Sequence, residues 1–487
     1  MTADTERLCE LSAATLRRLI GRKAISPVEL LEDCLERISA VNPALNAVTA
    51  TCVERARQEA RAAEKAVLDG DELGLLHGLP IGIKDLSLTG GLRTTFGSPL
   101  YADHVPDTDE RMVAAVRRAG AIVVGKTNVP EFGAGANTRN PVYGPTGNPF
   151  DPTRICGGSS GGSAVALATS MLPLCTGSDT GGSLRTPAAY CGVVGFRPSP
   201  GLVPSERRPL GWTPISVLGP MGRNVEDALL LLRAQISDDS RDPFAGPVDP
   251  ERFSQLEPVD LASLRVVVSA DLGGAPLDPR LRDTFCARIG LIAGDFGSCE
   301  WRDPNMEGAD EAFEIIRAVN FLAAHKERYD KHRDKLGPNI VANVEQGLGL
   351  SLADVARGHA AQTRIYRDFQ RFFDDADILI CPTVSVPPFA LEQRYATHID
   401  GRELRTYFHW LWPTYYLTLT GHPCISIPCG LDPTGTPFAL QICGPARRDK
   451  YVLDVAHAIE QRLQRDPRTA RPIPDIAKLS RAEAVAT

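Results

Sequence analysis

The sequence predicts a layered α/β fold on a mostly parallel or mixed sheet. Three observations carry that expectation. Short apolar, β-branched runs alternate with helical segments from residue 79 onward. Similar strand-like runs return after residue 376, beyond a dominantly helical stretch at about 306–376, so the late strands rejoin the early sheet. The 43 glycines and 38 prolines, ordinary as fractions, crowd into residues 78–222, where tight loops must lie between the elements.

Taken in order, the first quarter reads as helix. Ser26, Pro27 and Glu29 combine an N-cap, a first-turn proline and a capping-box acid ahead of Leu30, Leu31, Cys34, Leu35 and Ile38 at helical spacing. A second helix is expected over 53–68 and ends at Gly70. A strand over 80–84, a helix over 111–118, a strand over 121–124 and a helix over about 162–169 follow. Further strands are expected at 193–196, 264–268, 378–380, 424–427 and 438–442. Residues 237–262, rich in Asp, Pro and Ser, read as a surface excursion. Length alone would allow about three domains.

Composition excludes several function classes. With 43% apolar and 23% charged residues the chain of 487 is globular, not disordered. A net charge of −7 gives no pull toward nucleic acid or anionic membrane. The longest apolar stretches, such as 121–125 and 424–429, are far shorter than the ~18 residues that span a bilayer. The amino terminus lacks the basic start and apolar core of a secretion signal, and the twelve cysteines form no Cys-x-x-Cys pair. A cytoplasmic protein with reduced, mostly buried cysteines is expected. No His-Glu-x-x-His or paired-cysteine spacing is present, so no metal and no cofactor is expected.

Two motifs invite the wrong chemistry. Residues 120–127, GAIVVGKT, match a phosphate-binding loop, but their interior is a β-branched run and Pro130 follows, so a buried strand ending in a turn is expected. Residues 157–161, GGSSG, match the nucleophile elbow of histidine-dependent hydrolases, with His409, His422 and His457 available later. None of these histidines sits in a catalytic context, and a tight turn opening a helix would leave the same pattern. A second Gly-Gly-Ser at 181–183 lifts the run above that reading, because two glycine-flanked serines bring backbone close to a ligand. Lys84 stands in an apolar strand-like run of a chain that otherwise favours arginine; alone, it would read as a strand-end lysine paired with Asp85.

Together these residues resemble the amidase signature family. LPIGIKD (79–85), GKTNVPEF (125–132), GGSSGGS (157–163), SDTGGSLR (178–185), PAAYCGVVG (187–195) and GPMGR (219–223) look like its successive blocks, with weaker likeness at 381–383 and 421–444. Two departures, serine at 178 and glycine at 222, are expected to lie apart from the chemistry. The resemblance implies a single large α/β/α domain with a central mixed, largely parallel sheet surrounded by helices. On that frame residues 1–75 form an N-terminal helical segment and 76–235 the signature core. Residues 236–376 are a mainly helical insertion shaping the pocket, and 377–487 complete the domain.

The resemblance also implies roles: Ser183 the nucleophile, Ser159 a relay on a cis peptide, and Lys84 the base, 75 and 24 residues apart along the chain. The chemistry is coherent, since a serine needs a base and a lysine serves only when burial lowers its pKa from about 10.4. The backbone amides of Thr180, Gly181, Gly182 and Ser183 are expected to form the oxyanion hole, with Ser160, Asp179 and Arg185 supporting.

For the substrate, Phe132, Gly133 and Ala134 follow Glu131 in a loop expected to line the site. Tyr407, Trp410, Trp412 and Tyr415 concentrate aromatics in a chain with only 6% of them, either as a pocket wall or as an ordinary core helix. A pocket there favours hydrophobic, aryl or anilide-type amides, or carbamates and esters, over small charged amides. The expected partners are that small molecule and water, with the chain a monomer or homodimer. The alternatives are the glutamine-hydrolysing subunit of a tRNA amidotransferase, a histidine-dependent serine esterase on the Ser159 elbow, and a catalytically silent binding protein.

Overall fold

The computed structural model describes residues 7–485. One eleven-stranded sheet runs through the molecule. Its strands are β1 (Val48–Thr51), β2 (Pro80–Lys84), β3 (Ile122–Thr127), β4 (Leu174–Asp179), β5 (Val194–Arg197), β6 (Val217–Gly222), β7 (Arg265–Val268), β8 (Ser298–Trp301), β9 (Ile378–Pro382), β10 (Cys424–Leu431) and β11 (Pro437–Cys443). They lie in the order β1-β3-β2-β4-β6-β5-β10-β11-β9-β7-β8. The sheet is mixed, as expected, and helices surround it.

The parallel share is smaller than the sequence implies. β2 is parallel to both β3 and β4, and β7 to both β8 and β9, but the middle of the sheet from β4 to β9 is antiparallel throughout, as is the edge pair β1–β3. Alternating strands and helices mark the layers but not the pairing order, which tertiary packing decides.

Local signals place most elements. Ser26 caps the helix Pro27–Leu45 with both halves of the capping box, and Gly70 ends the helix Val53–Asp69 in the left-handed region at φ 82°. The residues that mimic a phosphate loop are β3 itself: Lys126 is fully buried and bonds Thr89 Oγ1 at 2.9 Å. The N-terminal segment also contributes β1, and the segment 236–376 adds β7 and β8 to the far edge besides its long helices Ala309–His332 and Leu352–Phe372.

The helix Gly161–Ala168, buried at every residue, packs against the sheet beside β2, β3 and β4. Ser163 Oγ lies 2.7 Å from Thr127 Oγ1 and donates to Thr176 O at 2.9 Å, pinning the helix to β3 and β4. A Cβ on Gly162 would collide with the Asn128 amide and lie 2.6 Å from Ala47 O. That approach fixes where the preceding loop, with Ser159, meets the sheet. Gly162→Ala is therefore expected to cost about 1–3 kcal/mol through backbone displacement, seen as a drop of several degrees in thermal midpoint with a parallel loss of activity.

Candidate active site

β4 ends at Asp179, and the chain turns through residues 180–184 into the buried helix Arg185–Cys191. Asp179 organises this turn. Its carboxylate accepts from the Gly182 amide at 2.8 Å, the Leu184 amide at 3.2 Å, both Nε and Nη2 of Arg185 at 3.0 Å, and Nη1 of Arg197 at 3.1 Å. Burial alone would raise its pKa, but Arg185 and Arg197 hold the carboxyl well below the usual range. Arg185 reaches on to Gln441 and Thr418, tying the turn to β11 and to the helix Trp412–Thr420. Asp179 and Arg185 thus spend their hydrogen bonds on the turn and its neighbours.

Gly182 is at φ 120°, and a Cβ there would strike Thr414, so only glycine fits. Its amide is committed to Asp179, which removes Gly182 from the expected oxyanion hole. The amides of Thr180, Gly181 and Ser183 carry no hydrogen bond to another described residue, and these three residues line the cleft.

Lys84, the last residue of β2, is 1% exposed. Its Nζ lies 2.8 Å from Ser159 Oγ, 2.7 Å from Ser160 Oγ and 2.9 Å from Ser178 Oγ, with Ser178 O at 3.3 Å. No carboxylate among the described residues touches it. Burial pushes its pKa down to about 7, with Asp179 acting in the opposite sense. The Asp85 expected as its partner is turned away and accepts from Thr95 N–H and Oγ1. Ser178 is thus in contact with the amine, so the departure at 178 does meet the chemistry, contrary to the sequence reading.

The Gly158–Ser159 peptide is cis. Ser160 N–H donates to Ser183 O at 3.2 Å, joining the two serine loops. Ser159 and Ser183 line one cleft of about 420 Å³. No hydrogen bond joins their hydroxyls here, and catalytic contacts of this kind often tighten only around substrate.

Phe132, Gly133 and Tyr407 line this cleft, as the sequence implies; Ala134, Trp410, Trp412 and Tyr415 do not. Ala134 faces a separate cavity behind the loop. Trp410 stacks on Tyr190 with Nε1 donating to Tyr407 O, and Trp412 Nε1 donates to Pro276 O. Tyr415 stacks at 4.5 Å on the rear of Phe313 and bonds Asp310. The helix Trp412–Thr420 is buried on every side, so its aromatics back the wall instead of facing substrate.

The wall itself is one face of the helix Ala309–His332, with Phe313, Arg317, Phe321, His325 and Arg328 at intervals of three and four. The sequence reading assigns the pocket-shaping role to the segment 236–376 but singles out none of these residues, although an arginine between Ile316 and Ala318 on an otherwise apolar stripe is a visible signal. The histidines behind the elbow reading lie elsewhere: His422 sits against Phe369 and Phe373, and His409 bonds Glu314. The described residues hold no group of three or more His, Cys, Asp or Glu able to bind a metal, and no helix among them is long and apolar enough to cross a membrane.

Comparison with known proteins identifies the family and the fold. The family model "Amidase" matches residues 29–453. The chain is 33% identical over 476 residues to the glutamyl-tRNA(Gln) amidotransferase A chain of Picosynechococcus sp., covering 92% of this chain and 97% of that one. Among solved structures, a bacterial aryl acylamidase of the amidase signature family superposes with TM-score 0.87 at 27% identity, over 94% of this chain and 96% of that one. A 6-aminohexanoate cyclic dimer hydrolase in complex with substrate matches with TM-score 0.82 at 25% identity, over 97% and 98%.

Removing the charge of Asp179 leaves two buried guanidinium groups without their anion. Asp179→Asn is expected to destabilise the protein by about 3–5 kcal/mol, read in denaturant or thermal unfolding, and to abolish turnover even where the variant is still folded.

Proposed function

The chain belongs to the amidase signature family of amidohydrolases acting on carbon–nitrogen bonds, and from that premise we propose that it opens linear amides with an apolar, aryl-type part through an acyl-enzyme on Ser183. The observation that carries the reading is the buried Lys84 amine, brought to about 7 and set 2.8 Å from Ser159 Oγ on the cleft that also holds Ser183. A lysine at that pKa is largely neutral above neutrality and can take a proton.

In the first half-reaction Ser183 Oγ attacks the carbonyl carbon and its proton passes to Ser159, whose own proton moves to Lys84 Nζ. Negative charge develops on the carbonyl oxygen, where the free amides of the 180–183 turn can donate. When the C–N bond breaks, the relay runs backward and protonates the leaving amine. Water then attacks the ester under the same relay, releasing the acid and restoring Ser183. Carbamates and esters with a similar apolar part follow the same steps. Ser160 and Ser178 hold the amine in place for both halves.

The wall supports the aryl preference. Phe96, Phe132, Phe313, Phe321, Tyr407 and Phe408 all face the cleft, offering flat apolar surface to a ring.

A second reading, a glutamine-hydrolysing component of a larger amidotransferase, is favoured by the likeness to the 33% identical amidotransferase subunit. The cleft argues against it: the ammonium of glutamine needs an acidic partner, yet Glu110 is the one acidic residue among the described residues lining the cleft, and its carboxylate accepts from the Leu88 amide.

Replacement of Ser183 by Ala is expected to lower kcat on the order of 10⁴-fold or more; retained activity would instead favour a histidine-dependent esterase on Ser159. The pH profile follows from Lys84. Below about 7 the amine is charged and cannot accept a proton, so kcat/KM should fall about tenfold per pH unit below that value and level off above it. Lys84→Ala should remove that limb together with the activity. An activity panel of anilides, aliphatic amides, carbamates and glutamine separates the two readings, because turnover of glutamine alone, and only with added partner proteins, would overturn the stand-alone amidase.

A further inference from the structure

The cleft contains a cation with no counterion among the described residues. Arg317 is 7% exposed, lines the cleft, and makes its one hydrogen bond to a described residue through Nη2 to Tyr407 Oη; its Nε has no partner. The guanidinium carbon lies 4.5 Å from the ring centre of Phe321, 5.0 Å from that of Phe408 and 5.5 Å from that of Tyr407. The acids on its own helix are engaged elsewhere: Asp310 by Tyr415, Glu311 by Arg357, Glu314 by Arg405 and His409, Glu327 by Lys331 and Asp330 by Lys326.

Ring faces offset part of the cost of burying a cation, but a guanidinium is normally buried with an anion that fills its fork. Here the anion's place is open to the cleft. Arg328, farther along the same face, also lacks a carboxylate among the described residues and lies over Phe132 and Tyr101. Two further arginines reach the cleft from the loop before β6: Arg208 is already paired with Asp242, and Arg207 is exposed. Phe313, one turn before Arg317, packs against the nucleophile turn, its Cζ only 2.9 Å from where a Cβ on Gly181 would lie. A group on Arg317 is therefore about 6 Å, one helical turn, beyond that contact.

Resting on the acyl-enzyme reading above, we propose that the substrate is a monoanionic amide, carrying a carboxylate a few bonds from the scissile carbonyl, and that Arg317 binds that carboxylate. The aromatic wall takes the apolar part and the arginine the charged end. Such a substrate keeps the aryl part expected from the sequence and adds one charged end. The free carboxylate can belong to the acyl part or to the amine part of the amide, and substrates of both kinds distinguish the two.

The test compares matched pairs that differ only in the carboxylate: succinyl and glutaryl anilides against butyryl and pentanoyl anilides for the acyl side, and acyl-aminobenzoates against the acyl anilides for the amine side. Wild-type protein is expected to prefer the acid of one pair by about 10–100-fold in kcat/KM, the usual worth of a charged hydrogen-bonded contact. Arg317→Met should erase that preference through KM while leaving the neutral twin within about threefold; Arg317→Lys should keep part of it. Labelling of Ser183 by a fluorophosphonate reports the reactive serine independently. Equal or better turnover of the neutral twins by wild type, or equal loss on both twins in a folded, labelling-competent Arg317→Met, would overturn the proposal while leaving the acyl-enzyme reading standing. If the Arg317→Met variant does not fold, the wild-type pair comparison and Arg317→Lys decide alone. No label on Ser183 and no turnover of any twin would sink the acyl-enzyme reading, and this proposal with it.

Discussion

One buried carboxylate, Asp179, is the constraint on which the catalytic end of this molecule depends. It is fully enclosed and ionised because two guanidinium groups and two backbone amides converge on it. Removing any donor leaves charge in a low-dielectric interior, so the arrangement is all or nothing. Its contacts fix the turn after β4 in a conformation that only glycine at 182 can adopt, with Ser183 on the cleft. The same charge lies close enough to Lys84 to oppose its deprotonation, so the amine is balanced between burial, which lowers its pKa, and this anion, which raises it.

That balance explains why hydroxyls, not carboxylates, surround Lys84. An acid in direct contact would hold the amine charged through neutral pH and spoil it as a base. Three serine oxygens and one carbonyl satisfy its donors without adding charge. Each comes from a different constraint: Ser159 and Ser160 from the loop that the Gly162 contact seats on the sheet, and Ser178 from β4 one residue before Asp179.

Much of this was legible in the sequence where local rules apply. Capping at Ser26, the stop at Gly70, the strand bearing Lys84 and the first part of the strand Ile122–Thr127 follow from residue pattern, and the serine loops stood out through their glycines. What stayed hidden was tertiary. β4 and β6, with the sequences LCTGSD and VLGPMG, are not among the expected strands, because their glycine and proline weaken the strand signal and are accommodated here by pairing with each other. The role of Ser178 required knowing that β2 and β4 are neighbours. Trp410, Trp412 and Tyr415 had the composition of a pocket wall but lie on or beside a helix buried all round, and composition cannot tell one face of a buried helix from another.

The cleft joins two structures of different origin, and their join places binding beside chemistry. The floor is the centre of the sheet with its serine loops; the wall is the helix Ala309–His332. Three contacts hold wall to floor: Phe313 against Gly181, Arg328 over Phe132, and Glu131, which follows the strand β3, accepting from the Gly337 amide beyond the helix. A group bound at Arg317 sits between the first two of these. It would neutralise the wall's buried charge one helical turn from the point where Phe313 packs against the turn that carries Ser183 and its free amides. Binding energy at a position remote from the scissile bond would then seat the amide beside that turn and be read as affinity, in KM.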